Sequence, residues 1–418
     1  MAVTTERNDI DFGDDLGVVN GADPVMDAYI ARLETAVPKV LRRLSLMGGP
    51  EVEAELAVWQ SRFDALAPQS VHQVLGHPFF SYYWRQLMLA CVRKDTDFIH
   101  AWSSCFGHFV ALPYLQGPGQ GEDLELRLPE PGTELWLPGH SAHLRFDRPV
   151  ERVLIAATGD GTVRDGLLSL PFAFITGDGS GTLGETSRVP HPRIPGTGIE
   201  IGADHPWIAR HFASMNSHDP QPGYPASDLT VREAGSEDIE RIGSAFALIE
   251  EAWPELAAEI RAYVRLFVPY GSDFHSSFTE ACLMGAIFLS EAARPFTSRQ
   301  YTAEHLLHEA SHLRLMLLLE LDPLVTCRDE AVFNSPVRKD PRPLWGMLQA
   351  IFVFARITAF HRRAYAVTGD DFHRDAQREN AKLLAQGMAE IEAEPSSSFT
   401  QTGTRLWEQM RRETVVES

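Results

Sequence analysis

The string His308-Glu309-Ala310-Ser311-His312 brings together the side chains of this sequence that could share one chemical task. Residues four positions apart on a helix lie on the same face, so the two imidazoles can bind one metal ion. Neutral imidazole binds zinc and iron alike, so the spacing predicts a metal site without naming the metal. The alternative is a pair of hydrogen-bonded core histidines. A metal is the better partner because the surrounding helix is strongly apolar and unpaired polar groups are costly there.

A zinc peptidase is one interpretation of this string, with Glu309 as the general base that activates water on the metal. The longer signature of the metzincin peptidases requires a glycine and a third histidine further along the helix. This chain has Leu315 and Leu318 at those positions. The metzincin interpretation therefore fails, while other HExxH peptidases remain open.

A third metal ligand must come from elsewhere in the chain. Glu320 is on the same helix, about 12 Å along the axis from His312, which is too far for the same ion if the helix runs straight. Asp329 and Glu330 follow in the next loop and can reach it. Glu330 is therefore the carboxylate candidate for the third ligand.

Two arginines follow the motif in a segment stiffened by proline. Arg338 and Arg342 lie in "SPVRKDPRP", residues 335–343, which contains three prolines. A guanidinium group held in this way suits bidentate binding of a carboxylate. A 2-oxoglutarate oxygenase needs such a group for its cosubstrate, besides two histidines and a third ligand for Fe(II). The alternative is a solvated loop with salt bridges.

The elements that must position these residues can be read from periodicity. Residues 1–22 are polar and acidic, and we expect them to be disordered. Helical spacing of apolar residues predicts a helical region over 23–115, and alternating strands with Gly and Pro predict a β-rich region over 116–216. A linker, 217–228, leads to a helical metal-binding region over 229–418. The predicted fold class is α+β and mainly helical.

Within the last region, the pattern predicts further elements. Residues 236–270 read as one long amphipathic helix or a broken pair, and the following turn leads into one or two strands before the motif helix. We expect three more helices towards the end of the chain, at 344–366, 370–392 and near 404–413.

Composition narrows the classes of function. The chain has 418 residues and a formal net charge of −20, which disfavours nucleic acid and anionic membrane surfaces as partners. Four scattered cysteines without C-x-x-C spacing are typical of reduced thiols. With no secretory signal pattern and no apolar run of about 18 residues, we expect a cytoplasmic enzyme. A homodimer is compatible with the sequence.

The stretch from about 265 to 366 resembles the HExxH-motif peptide-modification family, which is found beside radical SAM enzymes in clusters for ribosomal peptides. The strings that carry the resemblance are "SSFTEACLMGAIFLS", "LLHEASHLRLMLLLELDPL" and "SPVRKDPRPLWGMLQAIFVFARITAFHRR". The family is associated with peptide β-hydroxylation that depends on iron and 2-oxoglutarate. The resemblance therefore implies Fe(II), 2-oxoglutarate and oxygen as the reagents, and a peptide or amino acid as the substrate.

The resemblance also implies roles for single residues. His308 and His312 match the metal-binding pair, and Arg342 is the first candidate for the cosubstrate carboxylate, with Arg338 second. Family members often have a histidine in the middle of the following helix, where this chain has Phe354. His361 lies seven residues on, on nearly the same helical face, and is the candidate third ligand beside Glu330.

Two further residues complete the predicted site. Glu309 is then a supporting residue that orients a ligand or assists proton transfer, and Ser277 lines the cofactor pocket. The prediction is an oxygenase that hydroxylates a β-carbon. A zinc peptidase and a non-catalytic peptide-binding partner of a modification complex are the alternatives.

Overall fold

The computed structural model describes residues 12–18, 23–218, 226–290, 298–326, 332–338 and 340–413. The first part is helical, as predicted. Proline at the first turn starts several of these helices because its fixed φ suits that position and its missing N–H costs nothing there. The helices are α1 (Pro24–Gly48), α2 (Pro50–Asp64), α3 (Pro68–Leu75), α4 (Pro78–Arg93), α5 (Thr96–Ser103) and α6 (Phe106–Gln116).

A mostly antiparallel sheet follows, in agreement with the predicted β-rich region. Its central strand is long enough to pair with three neighbours along different parts of its length. The order is β3-β4-β2-β6-β5, with β1 also paired to β2. The elements are β1 (Leu124–Leu135), β2 (Ala142–Ala156), β3 (Val163–Arg164), β4 (Leu167–Pro171), the short helix α7 (Phe172–Ile175), β5 (Gly181–Leu183) and β6 (Thr186–Pro190).

A second sheet carries the strands that support the motif helix. Its order is β10-β11-β9-β7, and β8 also pairs with β9. The strands β9 and β11 are parallel and almost wholly buried, so they lack the alternation of a half-exposed strand. The elements are β7 (Glu200–Ile201), α8 (Pro206–Asn216), β8 (Thr230–Val231), α9 (Ser236–Ala252), α10 (Pro254–Tyr263), β9 (Leu266–Gly271), β10 (Ser277–Phe278) and β11 (Ala286–Ser290).

Residues 236–263 form a broken pair of helices, which confirms one form of the helix prediction for 236–270. The prediction is wrong for the last residues of that range. The break falls between Trp253 and Pro254, and α10 ends at Tyr263. The remainder, "LFVPYG", is the buried strand β9. A short apolar run has the same composition in a buried strand and in a buried helix, so periodicity could not separate them.

The last elements confirm the predicted C-terminal helices. The motif lies on α11, and the longest of the later helices packs against it. The elements are α11 (Arg299–Leu321), β12 (Val332–Phe333), β13 (Arg342–Pro343), α12 (Leu344–Thr368), α13 (Asp371–Ile391) and α14 (Gln401–Arg412). Within the described residues α12 is the one helix long and apolar enough to cross a membrane, and 78% of its most apolar window is buried inside the protein. We therefore assign α12 to the core.

The chain before α1 is packed over 12–18, which corrects the expected disorder there; residues 1–11 and 19–22 lie outside the described residues. Phe12 and Leu16 are buried. The Gln409 side chain donates to the Gly13 carbonyl at 2.7 Å, and the Gly17 carbonyl accepts from Arg314. Two apolar anchors among acidic residues are too few to raise the local hydrophobicity, so composition concealed this contact.

Candidate metal centre

The motif helix α11 is largely buried, and its sequence explains both where it begins and why it is buried. The Ser298 side chain caps it by accepting from the Tyr301 N–H at 3.2 Å. Leucines cover several faces of the helix, which packs against α9 and α12 and also contacts β10 and β11. A helix that is apolar on several sides is a core helix, so polar side chains on it must find partners inside the protein.

The structure brings His308 and His312 together as the spacing predicts. Their Nε2 atoms are 3.1 Å apart. Two ligands that lie about 2.1 Å from one ion at a right angle are about 3.0 Å apart, so this separation suits two neighbouring positions on one metal ion. Burial lowers the pKa of His308 to about 3 and that of His312 to about 4. Both rings are therefore neutral at pH 7, which is the form that binds a metal.

Arg338 is the arginine close to this pair. After burial, its positive charge is among the causes that lower the pKa of both His308 and His312. The residue is exposed, and its backbone N–H donates to the Ser335 hydroxyl at 3.2 Å. Arg342, the first candidate of the sequence analysis, instead has its Nε 3.1 Å from Asp340 Oδ2. These contacts favour Arg338 over Arg342 as the group that faces the pair.

Glu309 is enclosed by hydroxyl donors on the strand side of α11. The Ser277 hydroxyl donates to Glu309 Oε1 at 2.7 Å, and Thr279 also hydrogen-bonds the carboxyl group. Burial raises the pKa of Glu309 to about 7, although both hydroxyl contacts act to lower it. Ser277 also lies 3.3 Å from His305 Nδ1. Ser277 therefore positions Glu309 in this structure. Its place in the lining of the cofactor pocket stays a prediction.

His361, the predicted third ligand, is engaged in a different cluster. It is fully buried on α12, with its Nε2 2.9 Å from Glu304 Oε2 and its Nδ1 2.9 Å from His373 Nδ1. Glu304 lies one turn before His308 on α11. Ligation by His361 would require this chain of contacts to break, because both of its ring nitrogens are in use.

The third ligand stays a prediction. Within the described ranges, no group of three His, Cys, Asp or Glu side chains has the arrangement to hold a metal ion. Asp329 and Glu330, the carboxylate candidates, lie outside the described residues. The pair itself fits a metal by its spacing and by the neutral state of its rings.

A buried ionic cluster fixes the motif helix from behind. Arg314 donates to both carboxylate oxygens of Asp23 at 2.7 and 2.8 Å, and Arg356 donates to Glu259 Oε1 at 2.7 Å. The Tyr263 hydroxyl lies 2.9 Å from that oxygen and 2.9 Å from the Ala310 carbonyl within the motif. The ionic cluster, which we define as these charged residues and Tyr263, therefore limits how the motif turn can move.

Sequence reasoning did not identify several of these neighbours. Thr279 lies in the quoted string "SSFTEACLMGAIFLS", two residues after Ser277. Residues two apart in a strand lie on the same face, so this spacing could have indicated that both hydroxyls point to the same neighbour. Glu304 and His305 precede the motif on the same helix, where the i, i+4 relation to His308 and Glu309 was available. His373 and Glu259 are brought in by tertiary packing alone.

No protein-family model matches the chain, and a search of curated proteins gives no significant match. The class that fold and site define is therefore an α+β, mainly helical protein with a paired-histidine candidate metal centre.

Proposed function

We propose that this chain is a non-haem iron oxygenase that uses 2-oxoglutarate and oxygen to hydroxylate the β-carbon of a peptide or amino acid. The observation that carries the proposal is the pair of neutral imidazole nitrogens 3.1 Å apart, with an arginine charge acting on both rings. Two histidines, a third ligand and a carboxylate-binding arginine are the groups that this reaction class requires.

The chain's own residues would divide the work as follows. His308 and His312 would hold Fe(II) through Nε2, and the iron, when bound, would supply the activation of oxygen needed to attack a C–H bond. Arg338 would pair with the distal carboxylate of 2-oxoglutarate and so fix its orientation. Arg342 stays the second candidate, because its charge is not among the causes that lower the pKa of His308 or His312.

Glu309 acts as a supporting residue in this proposal. Its carboxyl group is held by Ser277 and Thr279, which fixes the rotation of α11 about its axis relative to β10. A pKa of about 7 lets this group exchange a proton near neutral pH. It would therefore be available to balance charge beside the pair without touching the reacting carbon.

A zinc peptidase is the second candidate, and one observation favours it. A carboxyl group with a pKa of about 7 suits the general base of such an enzyme. The 2.7 Å contact between Ser277 and Glu309 weighs against it, because that base must direct its carboxylate to water on the metal. We therefore place the oxygenase first, with a cytoplasmic location and a peptide or amino-acid substrate.

Metal analysis of protein purified without oxygen separates the two. We expect stoichiometric iron in the wild-type protein, its loss in His308→Ala, and its retention in His305→Gln, a matched change one turn away on the same helix. All three proteins should show the same far-UV circular dichroism. Stoichiometric zinc together with peptide cleavage would exclude the oxygenase. A protein that binds peptide tightly and no metal would be the non-catalytic partner.

A further inference from the structure

A cleft of about 380 Å³ opens where α5, α6, β1 and α8 meet. Its size lies in the range of small-molecule sites, which are mostly apolar with a few polar groups that fix orientation. The pairing of β1 with β2 is interrupted between Arg127 and Gly132, and residues 128–130, within this interruption, line the cleft. Such bulges commonly occur beside binding sites.

An unbroken series of rings forms one wall of the cleft. The ring centroids of Trp136 and His205 are 4.7 Å apart, those of His205 and Trp207 are 5.0 Å apart, and those of Trp207 and Trp102 are 5.0 Å apart. The His205 ring is fixed at the start of α8 because its Nδ1 accepts from the Trp207 N–H at 3.1 Å. Trp136 and Trp207 are partly exposed. Large rings left open to solvent beside a void indicate a surface for an aromatic ligand.

A cation stands at the end of this wall. The Arg210 guanidinium lies over Trp102, 4.9 Å from the ring centroid, and its side chain is exposed. Arg210 has no carboxylate partner in the part of the chain that the structure describes. Stacking holds its planar group in place while its donors stay available for a carboxylate.

The opposite rim carries negative charge. Glu134 on β1 accepts from Trp136 Nε1 at 3.1 Å and from Arg145 at 3.3 Å, and Glu130 is exposed. A ligand carboxylate would be attracted at the α8 side by Arg210 and not at the β1 side, where Glu130 is exposed and Glu134 is paired with Arg145. The charges of the two rims therefore give a bound aromatic acid one orientation.

The cleft is separate from the paired histidines. It shares Trp136 and His205 with a smaller cavity that reaches Glu200 on β7. The contact from the sheet to Glu309 comes from Ser277 on β10. Because β10 and β7 are the two ends of the path β10-β11-β9-β7, they are about 14 Å apart at the usual strand spacing.

We propose that this cleft binds an aromatic carboxylate, with the ring against Trp136 and Trp207 and the carboxylate on Arg210. The ligand chemistry is an aryl group with an acid a few bonds away. It is present both in a free aromatic acid and in a peptide that ends in an aromatic residue. This inference is independent of the proposed oxygenase activity.

Calorimetric titration of the full chain tests the site with three small probes. We expect N-acetyl-phenylalanine to bind, and both N-acetyl-phenylalaninamide, which lacks the carboxylate, and N-acetyl-leucine, which lacks the ring, to bind at least about tenfold more weakly. A pentapeptide with C-terminal phenylalanine, compared with the free acid, tells which source the site prefers. Absence of heat from N-acetyl-phenylalanine up to about 10 mM would overturn the proposal.

Variants assign the binding to the cleft. Arg210→Gln should weaken N-acetyl-phenylalanine roughly tenfold or more and leave the weak binding of the amide unchanged, while Arg210→Lys should retain part of the affinity. Arg378→Gln on α13, whose side chain is 66% exposed, is the matched control and should bind as the wild type does. Equal affinity of Arg210→Gln and wild type would show that the acid binds elsewhere and would also overturn the proposal.

Discussion

The hydroxyl of Ser277 donates to Glu309 Oε1 at 2.7 Å and so ties the strand β10 to the centre of the motif helix. Glu309 is nearly inaccessible to solvent, at 4% exposure, and no basic side chain is among the causes of its raised pKa. This contact therefore stabilises a carboxyl group that burial alone would keep protonated at neutral pH. Through this hydrogen bond, Glu309 contributes to the packing of α11 against β10.

The raised pKa of Glu309 predicts a pH dependence of stability in metal-free protein. The folded pKa is about 7 and the ordinary value is 4.5, so ionisation favours the unfolded chain. The contribution of the protonated form is complete below pH 4.5 and is lost as pH rises towards 7, by roughly 3 kcal/mol in all. Glu309→Gln keeps the shape and does not ionise. The free energy of unfolding of Glu309→Gln minus that of wild type should therefore be larger at pH 8 than at pH 5, because only the wild type loses stability over this range.

Urea unfolding of the two metal-free proteins at both pH values measures this difference. The Ser277 hydroxyl acts to lower the pKa of the Glu309 carboxyl group. Ser277→Ala should therefore lose more stability between pH 5 and pH 8 than the wild type does. A difference between Glu309→Gln and wild type that stays constant from pH 5 to pH 8 would mean that the carboxyl group is ionised in the folded protein throughout.

The ionic cluster predicts a large effect on stability from one substitution. Arg314 is fully buried and pairs with Asp23, and its Nε lies 3.7 Å from Glu259 Oε2. Arg314→Met would leave two buried carboxylates without this partner, which costs about 3–5 kcal/mol. Thermal unfolding should show a matching fall in Tm. The exposed Arg378→Met should change stability by less than about 0.5 kcal/mol. Similar Tm values for both variants would argue against a stabilising role for the ionic cluster.

Buried histidines outside the candidate metal centre predict a loss of stability in acid. Burial lowers the pKa of His77, His108, His143 and His211 to about 4, below the ordinary 6.5. The unfolded chain therefore takes up protons below pH 6.5 that the folded chain does not accept until about pH 4. Stability is complete above pH 6.5 and falls as pH drops towards 4.

Urea unfolding at pH 7.5 and pH 5 checks the direction and size of this effect. His108→Gln should make the fall in stability shallower, because Gln takes up no proton in either state. A fall in stability from pH 7.5 to pH 5 that is no shallower in His108→Gln than in wild type would contradict neutral burial of His108.

Sequence reasoning found the parts of this molecule that periodicity and spacing encode. The class, α+β and mainly helical, and the three C-terminal helices are confirmed, and the i, i+4 spacing placed His308 and His312 together. It failed where long-range packing decides. Phe12 is buried by contacts with α14, and β9 is a strand because strands flank it. The third-ligand role of His361 stays a prediction, and the residues that contact this side chain, Glu304 and His373, lie on α11 and α13.

Because Arg338 is preferred over Arg342 as the 2-oxoglutarate ligand, the two alanine variants should differ in the 2-oxoglutarate concentration that they need. Arg338 acts electrostatically on both rings of the pair, whereas Arg342 lies beside Asp340. Arg338→Ala should raise the 2-oxoglutarate concentration needed for half-maximal turnover by roughly tenfold or more, since a charged hydrogen-bonded partner is lost. Arg342→Ala should have a smaller effect. Steady-state assays over a range of 2-oxoglutarate concentrations compare them, and the reverse order would restore Arg342 as the cosubstrate ligand.

Formation of succinate from 2-oxoglutarate tests the central claim most directly. The assay uses full-length protein loaded with Fe(II) without oxygen and then exposed to oxygen, beside His308→Ala, His312→Ala and the matched His305→Gln. We predict oxygen-dependent succinate from the wild type and from His305→Gln, and none above background from the two variants of the pair. Equal succinate from wild type and both variants of the pair, or none from iron-loaded wild type, would contradict the account.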